Sequence, residues 1–327
     1  MSEMYTQAQE APRSWPLHVD VLVAARYAFD EGQLQQIYTK SKTQQWDIND
    51  YDWQHVLKED NPLDLPDQTL LVYGTPLWQS LDEVGRTELR RHFQGWTLSQ
   101  VLHGEQAALL CAAKLAQGES TLSARLCLAA QVYDEARHVE AYARLVNDKI
   151  GIYYDMTSSL GTLLRQTVVA SELDITNLGM QVLVEGIALS TFQNIVAYSR
   201  DPFIKTLVTR IQQDEARHFA AGRITLTRLY NGELSSAEMK LREEFLCEGI
   251  TTMYEHLCAD DIWAQLGMDR RDCGGQVRES QVSNTLRRSL FRRLVPTIKE
   301  IGLLTPRVAA IFEELGMLDY ANLPLRN

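Results

Sequence analysis

Asp134-Glu135-Ala136-Arg137-His138 recurs, eighty residues later, as Asp214-Glu215-Ala216-Arg217-His218. Each copy follows a lone glutamate by the same interval, Glu105 standing thirty residues before Glu135 and Glu185 thirty before Glu215. Each half of the repeat thus supplies two carboxylates and one imidazole. On a helix, residues three apart share a face with their Cβ atoms roughly 5–6 Å apart, so each Glu-x-x-His presents an oxygen and a nitrogen to one ion. Helix breaks stand midway in each half, Gly118–Thr121 between Glu105 and Glu135, and Ser199–Pro202 between Glu185 and Glu215. A hairpin at each break brings the lone Glu level with its Glu-x-x-His, about 14 residues and roughly 20 Å from the turn, in the middle of a bundle. One such pentapeptide alone reads as surface charge on a helix. Two copies with matched glutamates and matched breaks read as a site.

Four carboxylates neutralise two divalent cations, and burying four glutamates is tolerable only with such compensation. A mixed oxygen and imidazole set points to iron or manganese, because structural zinc takes fewer carboxylates and calcium avoids imidazole. The fifty residues between Glu135 and Glu185 leave room for a helix over about 159–172 that carries the chain back along the bundle.

Outward from the repeat, the pattern predicts an all-α chain. Residues 86–117 carry Leu89, Phe93, Trp96, Leu98, Leu102, Leu109 and Leu110 at helical spacing. Further helices are expected over about 120–147, from a cap at Asp174 to Tyr198, and from Asp201-Pro202 to about Tyr230. A capping box of Ser235 and Glu238 opens one toward Ala264, and Thr305-Pro306 and Gly316 bracket the last. The basic stretch 283–301, with Arg287, Arg288, Arg292 and Arg293, reads as a solvated or interface face, and the Trp46, Tyr51, Trp53 cluster as packing. Three parts result: an irregular segment with short helices packed on the bundle (1–85), a four-helix core (86–232) and a helical C-terminal extension (233–327), within a single domain.

Composition excludes several classes. With 327 residues, 45% hydrophobic and 23% charged, the chain is neither disordered nor collagen-like. Its 32 basic residues against 43 acidic ones give a net charge of −11, so no nucleic-acid partner is expected. No apolar stretch of membrane-spanning length stands out, and the first 25 residues lack a basic start, an apolar run and a cleavage site, so no membrane association and a cytoplasmic location are expected. Five cysteines without a CxxC pair indicate neither disulfides nor a zinc knuckle.

The order Glu, Glu-x-x-His, Glu, Glu-x-x-His over residues 98–225 resembles the ferritin-like carboxylate-bridged diiron family. The DExRH form is most similar to the hydroxylase α subunits of bacterial multicomponent monooxygenases and, less closely, to acyl carrier protein desaturases. The resemblance implies a ferritin-like four-helix bundle with extra N- and C-terminal helices, and two Fe ions, or Mn/Fe, with O2 as co-substrate. Glu105, Glu135 and His138 would hold one ion and Glu185, Glu215 and His218 the other, with Glu135 and Glu215 bridging. Asp134 and Asp214 would each orient the ligand His of the opposite motif, tied down by Arg137 and Arg217. The activity implied is a diiron oxygenase or oxidase acting on a small or apolar organic substrate. No flavin, nicotinamide or cysteine-cluster motif is present, so an external ferredoxin or reductase would supply electrons, and a homodimer is the expected assembly.

This chain departs from the family in several places. The Thr that monooxygenases carry one turn after the third Glu is Leu189 here, and the following Ser190 and Thr191 face differently on an ideal helix. The p-aminobenzoate N-oxygenases resemble the pattern but add a His four residues before the last ligand Glu, where this chain has Ile211. Tyr142, one turn after His138, stands where the ribonucleotide reductase small subunit has its radical tyrosine, although a buried hydrogen-bonded Tyr is the preferred reading. A radical generator using Tyr142 and a ferritin-type iron-storage protein are the alternative functions. Helical adjacency to the ligands marks Ala108, Ala112, Ala188, Phe192, Phe219 and Gly222 as candidate substrate-pocket walls. Gly104, Gly186 and Gly222 inside helices suggest close packing or cavity space there. His92 and His256 read as isolated histidines.

Overall fold

The computed structural model describes residues 14–17, 19–23, 32–232 and 234–325, and among them every regular element is helical. In chain order they are α1 (Gln33–Thr43), α2 (Pro76–Ser80), α3 (Glu83–Gly118), α4 (Leu122–Arg144), α5 (Ser158–Val169), α6 (Leu173–Tyr198) and α7 (Pro202–Tyr230). After these come α8 (Ser236–His256), α9 (Asp261–Gln265), α10 (Arg270–Glu279), α11 (Gln281–Leu290), α12 (Leu294–Glu300) and α13 (Pro306–Glu314).

The two hairpins turn where the sequence breaks. Thr121 caps α4 by accepting the Ala124 N–H, and Asp201 caps α7 by accepting the Ile204 N–H with Pro202 in the first turn, where its missing N–H costs nothing. The tight links make α3/α4 and α6/α7 antiparallel neighbours, and α5 returns the chain between them. α1 lies across α4 and α7, directly over the two motif copies.

Other expectations need correction. Asp174 does not cap α6, which begins at Leu173. Its carboxylate instead accepts two hydrogen bonds from Arg242 at 2.8 Å and one from the Tyr230 hydroxyl at 2.9 Å, tying α6 to α8 and α7. The capping box at Ser235 forms, but its helix ends at His256, and Asp261–Gln265 is a separate short helix. Leu110 is half exposed rather than core. The basic stretch is two helices with a buried face: Arg287 is 2% exposed, stacks over Tyr254 and donates to the Tyr254 carbonyl, Asn284 and the Cys258 sulfur.

One helical run, Leu173–Tyr198, is long and apolar enough to cross a membrane by length and composition, which the sequence expectation overlooked. Its apolarity faces protein, because 89% of its most apolar window is buried. Within it, Leu178–Val184 widens to π-helical geometry immediately before Glu185, and a second π segment, Leu145–Ile150, follows α4. Such widenings recur at functional sites, where they redirect the side chains that follow. Gly222 of α7 permits close approach to this run: a Cβ there would lie 2.6 Å from the Gln181 Cβ.

Candidate metal centre

Midway along the hairpins, α3 contributes Glu105, α4 Glu135 and His138, α6 Glu185, and α7 Glu215 and His218, all buried. Their donor atoms fall into two overlapping groups, Glu105, Glu135, His138, Glu215 and Glu135, Glu185, Glu215, His218, each within 4.8 Å. Glu135 and Glu215 belong to both. His138 Nδ1 stands 2.9 Å from Glu215 Oε1 and 3.3 Å from oxygens of Glu105 and Glu135. His218 Nδ1 stands 3.0 Å from Glu135 Oε1 and 3.7 Å from Glu215 Oε2.

The opposite edge of each imidazole is held across the repeat. His138 Nε2 donates to Asp214 and His218 Nε2 to Asp134, both at 3.2 Å. Arg137 and Arg217 each bond both aspartates, Arg137 reaching Asp214 at 3.3 Å and Arg217 reaching Asp134 at 3.5 Å, with closer contacts to the Asp of their own motif. With Nε2 carrying the hydrogen, each Nδ1 keeps a bare lone pair aimed at the carboxylates.

That arrangement fits cations. His138 Nδ1, His218 Nδ1, Glu135 Oε2, Glu185 Oε2 and both oxygens of Glu215 are buried without a hydrogen-bond partner. So many lone pairs converging without hydrogens is costly unless positive charge lies between them. Burial, reinforced by the Glu215 carboxylate, pushes Glu105 and Glu185 well above the usual carboxylate range. Although burial opposes it, the facing carboxylates raise His138 and His218 well above the usual imidazole range. Once each ring takes a second proton at Nδ1, the pair outweighs burial at Glu135 and holds that carboxyl below its usual range, supplying the positive charge that metal ions would otherwise bring. Without added cations Glu105 and Glu185 therefore favour their protonated forms.

Several residues of this site were not foreseen. Trp46 Nε1 donates to Asp214 Oδ2 at 2.7 Å while its carbonyl accepts from Arg137, so it is more than packing. Ser41, Gln44 and Gln45, at the end of α1, accept from Arg217 and Arg137 at 2.6–3.1 Å. Gln131, one turn before Glu135, donates from its side-chain amide to Glu135 Oε1 at 3.1 Å and Glu185 Oε1 at 3.0 Å, and its side-chain Oε1 accepts from the Gln181 amide. Its repeat counterpart is Ile211, fully buried and apolar. The sequence marks Gln131 only through this broken symmetry.

Tyr142 is fully buried and stacks on Phe192 with ring centroids 5.8 Å apart, but its hydroxyl has no hydrogen-bond partner, contrary to expectation. Beside the carboxylates lies a cavity of about 90 Å³ lined by Gly104, Glu105, Ala108, Glu185, Ala188 and Glu215 among others. Thr191 also lines it, against the expectation that it faces elsewhere, because Glu185, Ala188 and Thr191 form one stripe at three-residue steps. An outer chamber of about 520 Å³ shares the Trp96, Thr97, Thr191 and Leu257 walls with this cavity. Of the residues expected to form the pocket, Ala108 and Ala188 line the inner cavity and Phe219 the outer chamber. Ala112, Phe192 and Gly222 line neither and are packed in the core, so helical adjacency overreached there.

Residues 30–302 match the family model of the p-aminobenzoate N-oxygenase AurF. Similar solved structures include two single-residue variants of an R2-like ligand-binding oxidase with reconstituted Mn/Fe cofactor. One, reconstituted anaerobically, is 17% identical over 84% of this chain and 95% of its own, with a TM-score of 0.54. The other, reconstituted aerobically, is 17% identical over 84% and 94%, with a TM-score of 0.53. At this identity the likeness shows the fold, a ferritin-like helical bundle. No curated protein matches the sequence.

Proposed function

The chain belongs to the p-aminobenzoate N-oxygenase AurF family, and from that premise we propose that it oxidises a small organic substrate with O2 at a two-metal centre, a primary aromatic amine being the first class to test. It is a diiron oxygenase or oxidase. The observation that carries the reading is the set of buried, partnerless donor atoms shared by two overlapping ligand groups. Glu105, Glu135 and His138 would hold one ion, and Glu185, Glu215 and His218 the other, with Glu135 and Glu215 reaching both. Iron is the assignment, with Mn/Fe, the cofactor of the structural neighbours, as the alternative.

When bound, the two ions supply the electrons and Lewis acidity that O2 reduction requires. The protein's own residues do the rest. Asp134 and Asp214 fix both imidazoles with Nδ1 inward, and the Gln131 amide holds Oε1 of Glu135 and Glu185, leaving Oε2 of each facing the centre. The outer chamber combines apolar walls, Phe93, Ile195 and Leu257 among them, with polar ones, Gln94, Asn194 and Arg293 among them, and admits an organic body with both apolar and polar parts. Continued turnover takes electrons from a ferredoxin or reductase partner.

Protein loaded anaerobically with Fe(II) should consume O2 in a single burst and stop until a reductant is added. Loaded protein that leaves dissolved O2 unchanged on an oxygen electrode would overturn the reading. Adding p-aminobenzoate before O2 should yield an oxygenated product by mass spectrometry if the aromatic-amine class is right. Replacing the amide donor by Gln131→Leu should weaken metal binding at the Glu185–His218 position about tenfold. A chelator-competition titration checks this, with wild-type affinity the contrary result.

A further inference from the structure

His256 closes α8 and lines the inner cavity that also opens onto Glu105, Glu185 and Glu215. Its ring packs against Trp96 at 5.1 Å between centroids, and Nδ1 lies 2.8 Å from the Thr157 hydroxyl. Thr157 Oγ1 already accepts the Leu160 N–H as the cap of α5, and its own hydrogen has no acceptor other than His256 Nδ1 among the described residues. Thr157 therefore donates to Nδ1, and the ring hydrogen sits on Nε2. Burial lowers the His256 pKa to about 4, so the ring is neutral at pH 7 and carries that single hydrogen. Among the described residues His256 has one hydrogen-bond partner, Thr157 at Nδ1, and none at Nε2. Nε2 stands on the ring edge away from Thr157, and His256 is among the residues that line the cavity.

An N–H without a protein partner is rare in a folded interior, and this one lines a small chamber together with Trp96, whose Nε1–H is also buried without a partner, while the amide and hydroxyl side chains there are committed elsewhere. Gln100 is bound to the Asp155 carbonyl and the Thr157 N–H, and the Thr97 and Thr191 hydroxyls donate to the Phe93 and Ile187 carbonyls. We propose that His256 is a substrate-contacting residue whose Nε2–H donates a hydrogen bond to the heteroatom, nitrogen or oxygen, at the reacting end of the substrate, holding that atom beside the carboxylate cluster. The substrate body then extends past Trp96, Thr97, Thr191 and Leu257 into the outer chamber. The inference rests on the proposed function and adds a recognition rule: the reacting end bears an accepting heteroatom, whereas an otherwise identical hydrocarbon end is held less well.

The test compares metal-loaded wild type with His256→Phe and His256→Gln, using p-aminobenzoate, p-hydroxybenzoate and benzoate as probes in calorimetric titrations. Metal content and the O2 burst without probe are measured first. Their loss in the wild type would sink the functional reading, whereas their retention in both variants isolates the role of His256. Wild type should bind the two heteroatom-bearing probes about tenfold more tightly than benzoate. His256→Phe should erase that difference without weakening benzoate, and His256→Gln, whose amide can donate from nearly the same point, should keep most of it. Equal binding of all three probes by wild type, absence of binding included, would overturn the assignment. So would a preference that survives in the Phe variant.

Discussion

Glu215→Ala should strip the protein of both metal ions rather than one. Glu215 belongs to both donor groups, both of its oxygens are buried without a partner, and they lie 2.9 Å from His138 Nδ1 and 3.7 Å from His218 Nδ1. Removing it leaves each ion short of a ligand and leaves the remaining charge poorly balanced. Content should fall from about two ions per chain to near zero, measured by elemental analysis after anaerobic Fe(II) loading and desalting. Glu135→Ala should behave the same way. Glu105→Ala and Glu185→Ala, which touch one group each, should retain about one ion. Loss of a single ion in both Glu135→Ala and Glu215→Ala would refute the bridging assignment.

Asp214→Ala should carry the largest stability cost of any substitution outside the donor atoms themselves. Its carboxylate receives Trp46 Nε1, His138 Nε2 and both guanidiniums, and it is almost fully buried. Without it, Arg137 and Arg217 remain buried against Asp134 alone, an uncompensated charge worth about 3–5 kcal/mol. Nothing then holds His138 with Nδ1 inward, so metal affinity should also drop about 10- to 100-fold. Urea unfolding of metal-free protein and chelator competition on loaded protein separate the two effects. A variant within about 1 kcal/mol of wild type would show that the aspartate–arginine square contributes little.

The paired motifs were legible because helical spacing and matched chain breaks are local properties. Glu105, Glu185 and the two Glu-x-x-His pairs follow from counting residues, and so do the turns at Thr121 and Asp201. The rest was hidden by distance along the chain. Trp46 meets Asp214 across 168 residues, and Gln44 meets Arg217 across 173, from a segment without periodicity of its own. The π segment Leu178–Val184 leaves no compositional mark, because widening a helix by one residue per turn depends on packing rather than on residue type. His256 looked isolated because its partner Thr157 and the cavity it faces come from other helices. The family match holds although Ile211 stands where the sequence resemblance implies a further His, so that one position is a poor guide to lineage.

The exchange of aspartates between the two hairpins bears on how the protein is made. A nascent chain that has released only α3 and α4 already carries Glu105, Glu135 and His138, yet the carboxylate that sets the His138 tautomer is still inside the ribosome, as part of α7. Asp134 meanwhile waits for His218. The first hairpin therefore cannot present a finished binding pocket to cellular metals ahead of the second. The complete donor set, shared between the two hairpins, comes together only when all four core helices have docked.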